Sequence, residues 1–175
     1  MPSGCYNNQT MIKINQSAPN FTLLDQTGQS HSLSHYKGKW VLLYFYPKDD
    51  TPGCTTEACQ IRDNFAEFRK KGIVVLGVSC DSVKKHDKFA KKFALPFALL
   101  ADEDKKVVEL YGVWGEKKFP PASRLRRAGM GREYMGILRT SFLINPEGKV
   151  AKVYESVKPD GHAAEILQDV EQLQA

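Results

Sequence analysis

The chain has 175 residues, a formal charge of +5, 42% apolar residues and 26% charged residues. That length suits one domain with a real core, and the balance excludes a wholly disordered chain. No apolar run approaches the roughly 20 residues that cross a bilayer. The stretch from Met1 to Thr10 also lacks the charged start and apolar block of an export signal, so a cytoplasmic protein with no membrane partner is expected. The positive excess is largely local, because Arg124, Arg126 and Arg127 share one short segment. A modest positive balance alone does not specify nucleic acid, and no such partner is expected. Four cysteines (Cys5, Cys54, Cys59 and Cys80) are too few for a disulfide scaffold of this size. They read as buried thiols or as chemistry.

Residues 1–10 read as a flexible N-terminal tail, with Met11 an alternative start. Phe21 to Leu33 forms a hairpin pattern around the Asp25-Gln26-Thr27-Gly28 turn. Val41 to Tyr46 is apolar on both faces, as a central strand covered on each side should be, and Pro47 stops it. From about Thr55 to Lys71 the period turns helical. Ala58, Ile61, Phe65 and Phe68 form the inward stripe, with Glu57, Arg62, Glu67 and Arg69 off it and Gly72 at the end. Ile73 to Val78 is a second strand. Asp81 or Ser82 caps a helix whose inner face carries Val83, Phe89, Ala90 and Phe93, with lysines 84, 85, 88, 91 and 92 on its wet face. Pro96 to Leu100 is a short strand and Glu103 to Tyr111 a helix. Arg139 to Ile144 and Lys149 to Tyr154 are strands around an Asn145-Pro146-Glu147-Gly148 turn. A final helix from about Gly161 turns Ala164, Leu167, Val170 and Leu173 inward. His31 and His35 fall in a polar stretch, and His86 and His162 read as helix-surface residues. Strands alternating with helices imply one three-layer α/β domain over residues 11–175.

The chemistry concentrates after the central strand. Cys54 falls where strand gives way to helix, the edge at which open α/β sheets place ligands. Free amides and the helix dipole favour an anion there, and hence a thiolate. Pro52 has no amide hydrogen to leave unpaired, and Gly53 permits close backbone approach to a bound molecule. The Thr51 hydroxyl can orient an oxygen bound beside the sulfur. Asp49 and Asp50 work against a thiolate, with Lys48 and Arg139 as offsets. No zinc pattern, heme motif or Gly-rich phosphate loop accompanies these thiols, so no metal or cofactor is expected.

The string Pro47-x-x-x-Thr51-x-x-Cys54 resembles the peroxiredoxin signature. The wider run Tyr46 to Glu57, with Val78-Ser79-x-Asp81-Ser82, Tyr111 to Lys117 and Arg139 to Ile144, is similar to the bacterioferritin comigratory protein (BCP, or PrxQ) branch. The resemblance spans residues 11–175 with one interruption. It implies a thioredoxin-like three-layer sandwich with a central mixed sheet. It also implies a thiol peroxidase acting on hydrogen peroxide and organic hydroperoxides.

In that resemblance Cys54 is the peroxidatic cysteine, Thr51 its hydroxyl partner, Pro47 a shield over the pocket, and Arg139 the guanidinium facing the sulfur. Cys59 takes the place of the branch's resolving cysteine, thioredoxin or a similar dithiol would be the reductant, and a monomer suffices. Five steps along an ideal helix separate Cα atoms axially by roughly 7.5 Å, beyond the span of about 7 Å that a disulfide tolerates. The helix start is therefore expected to unwind when Cys54 and Cys59 join. Cys80 reads as structural and Cys5 as incidental. A thiol–disulfide oxidoreductase and a non-enzymatic redox sensor or binding module are the alternatives, the first disfavoured by the absence of CxxC. The chain departs from the branch at a basic insertion near residues 120–129, expected as a surface loop, and at Leu138, where an acid is usual.

Overall fold

The computed structural model describes residues 10–118 and 133–175. Cys5, all but Thr10 of the expected tail, and the expected insertion at 120–129 lie outside the described residues.

The elements begin with β1 (Thr22–Leu24), β2 (Ser30–Ser32), a 3-10 turn (Leu33–Tyr36) and β3 (Trp40–Phe45). Then come α1 (Pro52–Asp63), α2 (Phe65–Lys70), β4 (Ile73–Ser79), α3 (Val83–Phe93), β5 (Ala98–Ala101) and α4 (Lys106–Leu110). The chain continues with β6 (Trp114–Lys118), β7 (Glu133–Ile137), β8 (Thr140–Ile144), β9 (Val150–Tyr154) and α5 (His162–Gln174). Seven strands form one mixed sheet in the order β2-β1-β5-β4-β3-β8-β9, while β6 and β7 pair separately. Strands β3, β4 and β5 run parallel, and β8 lies antiparallel to β3.

β3 holds the centre because both its faces are apolar. Leu42 and Tyr44 enter one core cluster with Ala58 and Ile61 of α1, Phe68 of α2, Phe89 of α3 and Ile166 of α5. Val41, Leu43 and Phe45 enter the opposite cluster with Phe21, Leu33, and Val107 and Val108 of α4. Layers of side chains on both faces make the three-layer, thioredoxin-like arrangement that the alternating pattern implied. Close packing shows at Gly77, where an added Cβ would lie 2.8 Å from the Tyr44 ring. The absence of a side chain on β4 is what lets that ring lie across it.

Several expectations need correction. The single helix over 55–71 starts earlier, at Pro52, and breaks at Asn64, whose Nδ2 bonds the Gln60 carbonyl at 2.8 Å. Glu57, His86 and His162, assigned to the surface as polar residues, are buried, at 1%, 0% and 2% exposure. In α5 the inward residues are His162, Ala163, Ile166 and Val170, while Ala164 and Leu173 are exposed. The β6–β7 hairpin was not foreseen. Its strands are polar, and the segment joining them separates them in sequence.

Candidate active site

The site grows from the end of β3. Tyr46 leaves the strand with its amide still bonded to the Val78 carbonyl at 3.1 Å, and Pro47 ends the ladder. Thr51 is the extended N-cap of α1 and Pro52 its first residue, where a missing N–H costs nothing. Cys54 therefore lies in the first turn, at the positive end of the helix, and is 2% exposed. Pairing of β8 with β3 sets Thr140 opposite Phe45, so Arg139, just before β8, arrives at the same edge.

There the Arg139 guanidinium spans two groups. Its Nη2 donates to Cys54 Sγ at 3.2 Å and its Nη1 to Glu57 Oε2 at 2.5 Å. Burial works against the Arg139 charge, yet the neighbouring Cys54 and Glu57 outweigh it and strengthen its hold on its proton. Glu57 feels the opposite balance: burial pushes its carboxyl up to about 7 despite Arg139. Its Oε1 and the Tyr44 hydroxyl are buried without a hydrogen-bond partner among the described residues. Sequence reading passed over Glu57 although the signal was present. Residues 54, 57, 58 and 61 follow i, i+3, i+4, i+7 spacing and are all buried on one face of α1.

Thr51 Oγ1 donates to the Lys48 carbonyl at 2.8 Å. Its hydrogen is committed, so toward a ligand the oxygen acts as an acceptor. The two aspartates are engaged by other partners. Asp49 accepts from Tyr46 Oη at 2.6 Å and contacts His86 Nδ1 at 2.6 Å. Asp50 pairs with Lys92 at 2.8 Å. His86 Nε2 donates to the Leu100 carbonyl at 3.1 Å, since a carbonyl only accepts. This buried network fixes the loop that delivers Thr51 and Cys54. Gly53 has a local role as well: a Cβ there would lie 3.1 Å from Arg139 Nη2.

An open cleft of about 530 Å³ reaches Cys54, with Pro47, Thr51, Arg139 and Cys80 in its lining and the β6–β7 hairpin as its other wall. Cys59 lies in α1, half-buried, and Cys54, Cys59 and Cys80 are all free thiols. Burial pushes Cys80 up to about 11, which favours its protonated form at neutral pH. Among the described residues no three His, Cys, Asp or Glu side chains converge to hold a metal ion. No described helix is long and apolar enough to cross a membrane.

The family model described as AhpC/TSA matches residues 14–153. Peroxiredoxin Bcp of Bacillus subtilis is 46% identical over 162 residues, covering 93% of this chain and 97% of that protein. A mutant of Xylella fastidiosa PrxQ superposes with a TM-score of 0.84 at 32% identity, covering 95% of this chain and 99% of that one. A Xanthomonas campestris bacterioferritin comigratory protein, solved in work on its alkyl peroxide reduction activity, gives a TM-score of 0.79 at 36% identity. It covers 89% of this chain and 92% of that one. With a matching model over most of its length and relatives aligned nearly end to end, the chain belongs to the AhpC/TSA family, in its Bcp/PrxQ peroxiredoxin branch.

Proposed function

We propose that the chain is a cytoplasmic thiol peroxidase of hydrogen peroxide and organic hydroperoxides, with Cys54 as the peroxidatic residue. The observation that carries this is the Arg139 guanidinium held by buried Glu57 against the Cys54 sulfur, at the floor of an open cleft. A hydroperoxide entering beside Pro47 can donate its O–H to Thr51 Oγ1, which orients the terminal oxygen toward the sulfur. The thiolate attacks that oxygen and the O–O bond breaks. Charge developing on the departing oxygen meets donors already in place, which need no reorganisation during the reaction. Cys54 is left as sulfenic acid.

Cys59 then attacks the sulfenic sulfur and water leaves, giving an intramolecular disulfide. Thioredoxin or a similar dithiol returns both thiols by exchange. All the residues used belong to one chain, so a monomer suffices. Residues 11–175 act as one peroxiredoxin domain, with 120–129 a basic insertion and 1–10 a tail.

The test is peptide mass after one equivalent of peroxide on fully reduced protein. Trypsin leaves Cys54 and Cys59 together in the peptide from Asp49 to Arg62. Loss of about two mass units within seconds is expected, for a sulfenate captured as a disulfide. A Cys54 that stops at sulfenate or over-oxidises would remove Cys59 as resolver. An unreactive Cys54 would end the peroxidase reading.

A further inference from the structure

The β6–β7 hairpin brings a further cation to the cleft, which Arg139 and Lys48 also line. Lys117 lies on its wall with Cys54 and Arg139. The hairpin register sets it opposite Tyr134. Its stem passes Gly136, where a Cβ would lie 3.1 Å from Lys117 Cδ. Its Nζ donates to the Ile137 carbonyl at 3.0 Å and lies 5.9 Å from the centre of the Tyr134 ring. The ammonium is thus pinned, and one of its three hydrogens is used among the described residues.

Arg139 uses one N–H of each terminal nitrogen on Cys54 and Glu57, and its guanidinium keeps its protons at neutral pH, so it can stabilise the departing oxygen without protonating it. A thiolate attacking a hydroperoxide leaves an alkoxide or hydroxide, a strong base that must acquire a proton. Lys117, Lys48 and Arg139 line the cleft with Cys54, while Glu57 pairs with Arg139, so the negative charge that leaves the sulfur on the expelled oxygen meets a cationic wall.

We propose that Lys117 is a further catalytic residue, whose ammonium stabilises and then protonates the oxygen expelled when Cys54 splits the peroxide. The proposal rests on the Cys54 peroxidase reading. The Cys54 thiolate and ROOH form the S–O bond of the sulfenic acid, and the O–O electron pair departs on RO⁻. One proton passes from Lys117 Nζ to RO⁻, giving ROH and a neutral amine that water re-protonates. Burial, and then the nearby Arg139 charge, weaken the hold of Lys117 on its proton, which makes it a better acid than a surface lysine.

The experiment compares reduced wild type with Lys117→Met in single turnovers, each quenched with an alkylating agent and read by mass. tert-Butyl hydroperoxide must expel an alkoxide, whereas peracetic acid expels acetate, which needs no proton. The expected loss is on the order of 100-fold with tert-butyl hydroperoxide and under about 3-fold with peracetic acid. Equal losses with both peroxides, or no loss with either, would overturn the proposal. Should Lys117→Met fail to fold, Lys117→Arg keeps the charge while its guanidinium retains its proton at neutral pH. The same selective loss is expected of it, and full activity with tert-butyl hydroperoxide would overturn the proton transfer. Wild type that leaves Cys54 unoxidised by both peroxides would instead remove the peroxidase reading, and the role of Lys117 with it.

Discussion

Replacing Glu57 by Gln tests whether the carboxylate behind Arg139 is held there at a cost. Gln keeps the shape and an oxygen for the guanidinium but removes the charge. Burial raises the Glu57 carboxyl from an ordinary 4.5 to about 7 in the folded protein. A group whose folded value is raised binds its proton more tightly when folded. Its contribution to stability is fully present below pH 4.5 and is lost as pH rises through 7. The difference of about 2.5 pH units corresponds to about 3 kcal/mol. Wild type and Glu57→Gln should therefore be equally stable at pH 4.5. At pH 8 the variant should be the more stable, by about 3 kcal/mol, although it has lost an ion pair. Urea unfolding of both reduced proteins across this range reads the difference, because titrating groups remote from Glu57 behave alike in the two. Parallel stability curves would refute the reasoning, and so would a variant that loses stability as pH rises. The same substitution should slow Cys54 oxidation, since Arg139 is then held by a dipole instead of a charge.

Two further outcomes follow from the same geometry. Arg139→Lys places one ammonium where a planar fork spans Cys54 and Glu57, so oxidation of Cys54 by peroxide should slow by on the order of 100-fold; stopped-flow rates within a few-fold of wild type would show the fork to be unnecessary. Oxidation should lower amide protection over residues 54–60 and leave it intact from Asn64 onward, whose amide bonds the Gln60 carbonyl at 3.1 Å. Gln60 anchors α1 there, through Asp160 Oδ1 at 2.5 Å and the Gly161 amide at 2.8 Å. Hydrogen exchange of reduced and oxidised protein checks this, and unchanged protection would rule out unwinding.

The edge that carries Cys54 was legible because its signals are local. An apolar strand of six residues, a proline stop and a Thr-Pro-Gly-Cys helix start fix Cys54 within one short stretch. Arg139 was reached only through the family resemblance, since its meeting with Cys54 depends on a strand pairing 85 residues away in sequence. Glu57, His86 and His162 were misplaced for a common reason. Each lies at the inward phase of its helix, but polarity was read as exposure. Burial is tolerated because partners exist that sequence does not reveal: Arg139 for Glu57, Asp49 and Leu100 for His86, and the Ser141 hydroxyl at 2.8 Å for His162. The β6–β7 pair, and with it Lys117, left no periodic apolar pattern to find.

The fit of Tyr44 over Gly77 constrains how this chain can diverge. An alanine at 77 would drive its methyl group into the ring, and a smaller side chain at 44 would leave a hole beneath Cys54 and Glu57. Neither position can drift alone. Only a paired exchange, bulk moving from one strand to its neighbour, would keep the floor of the site filled. Two residues 33 apart in the chain therefore form one heritable unit, and lineages that keep the tyrosine are bound to keep the glycine.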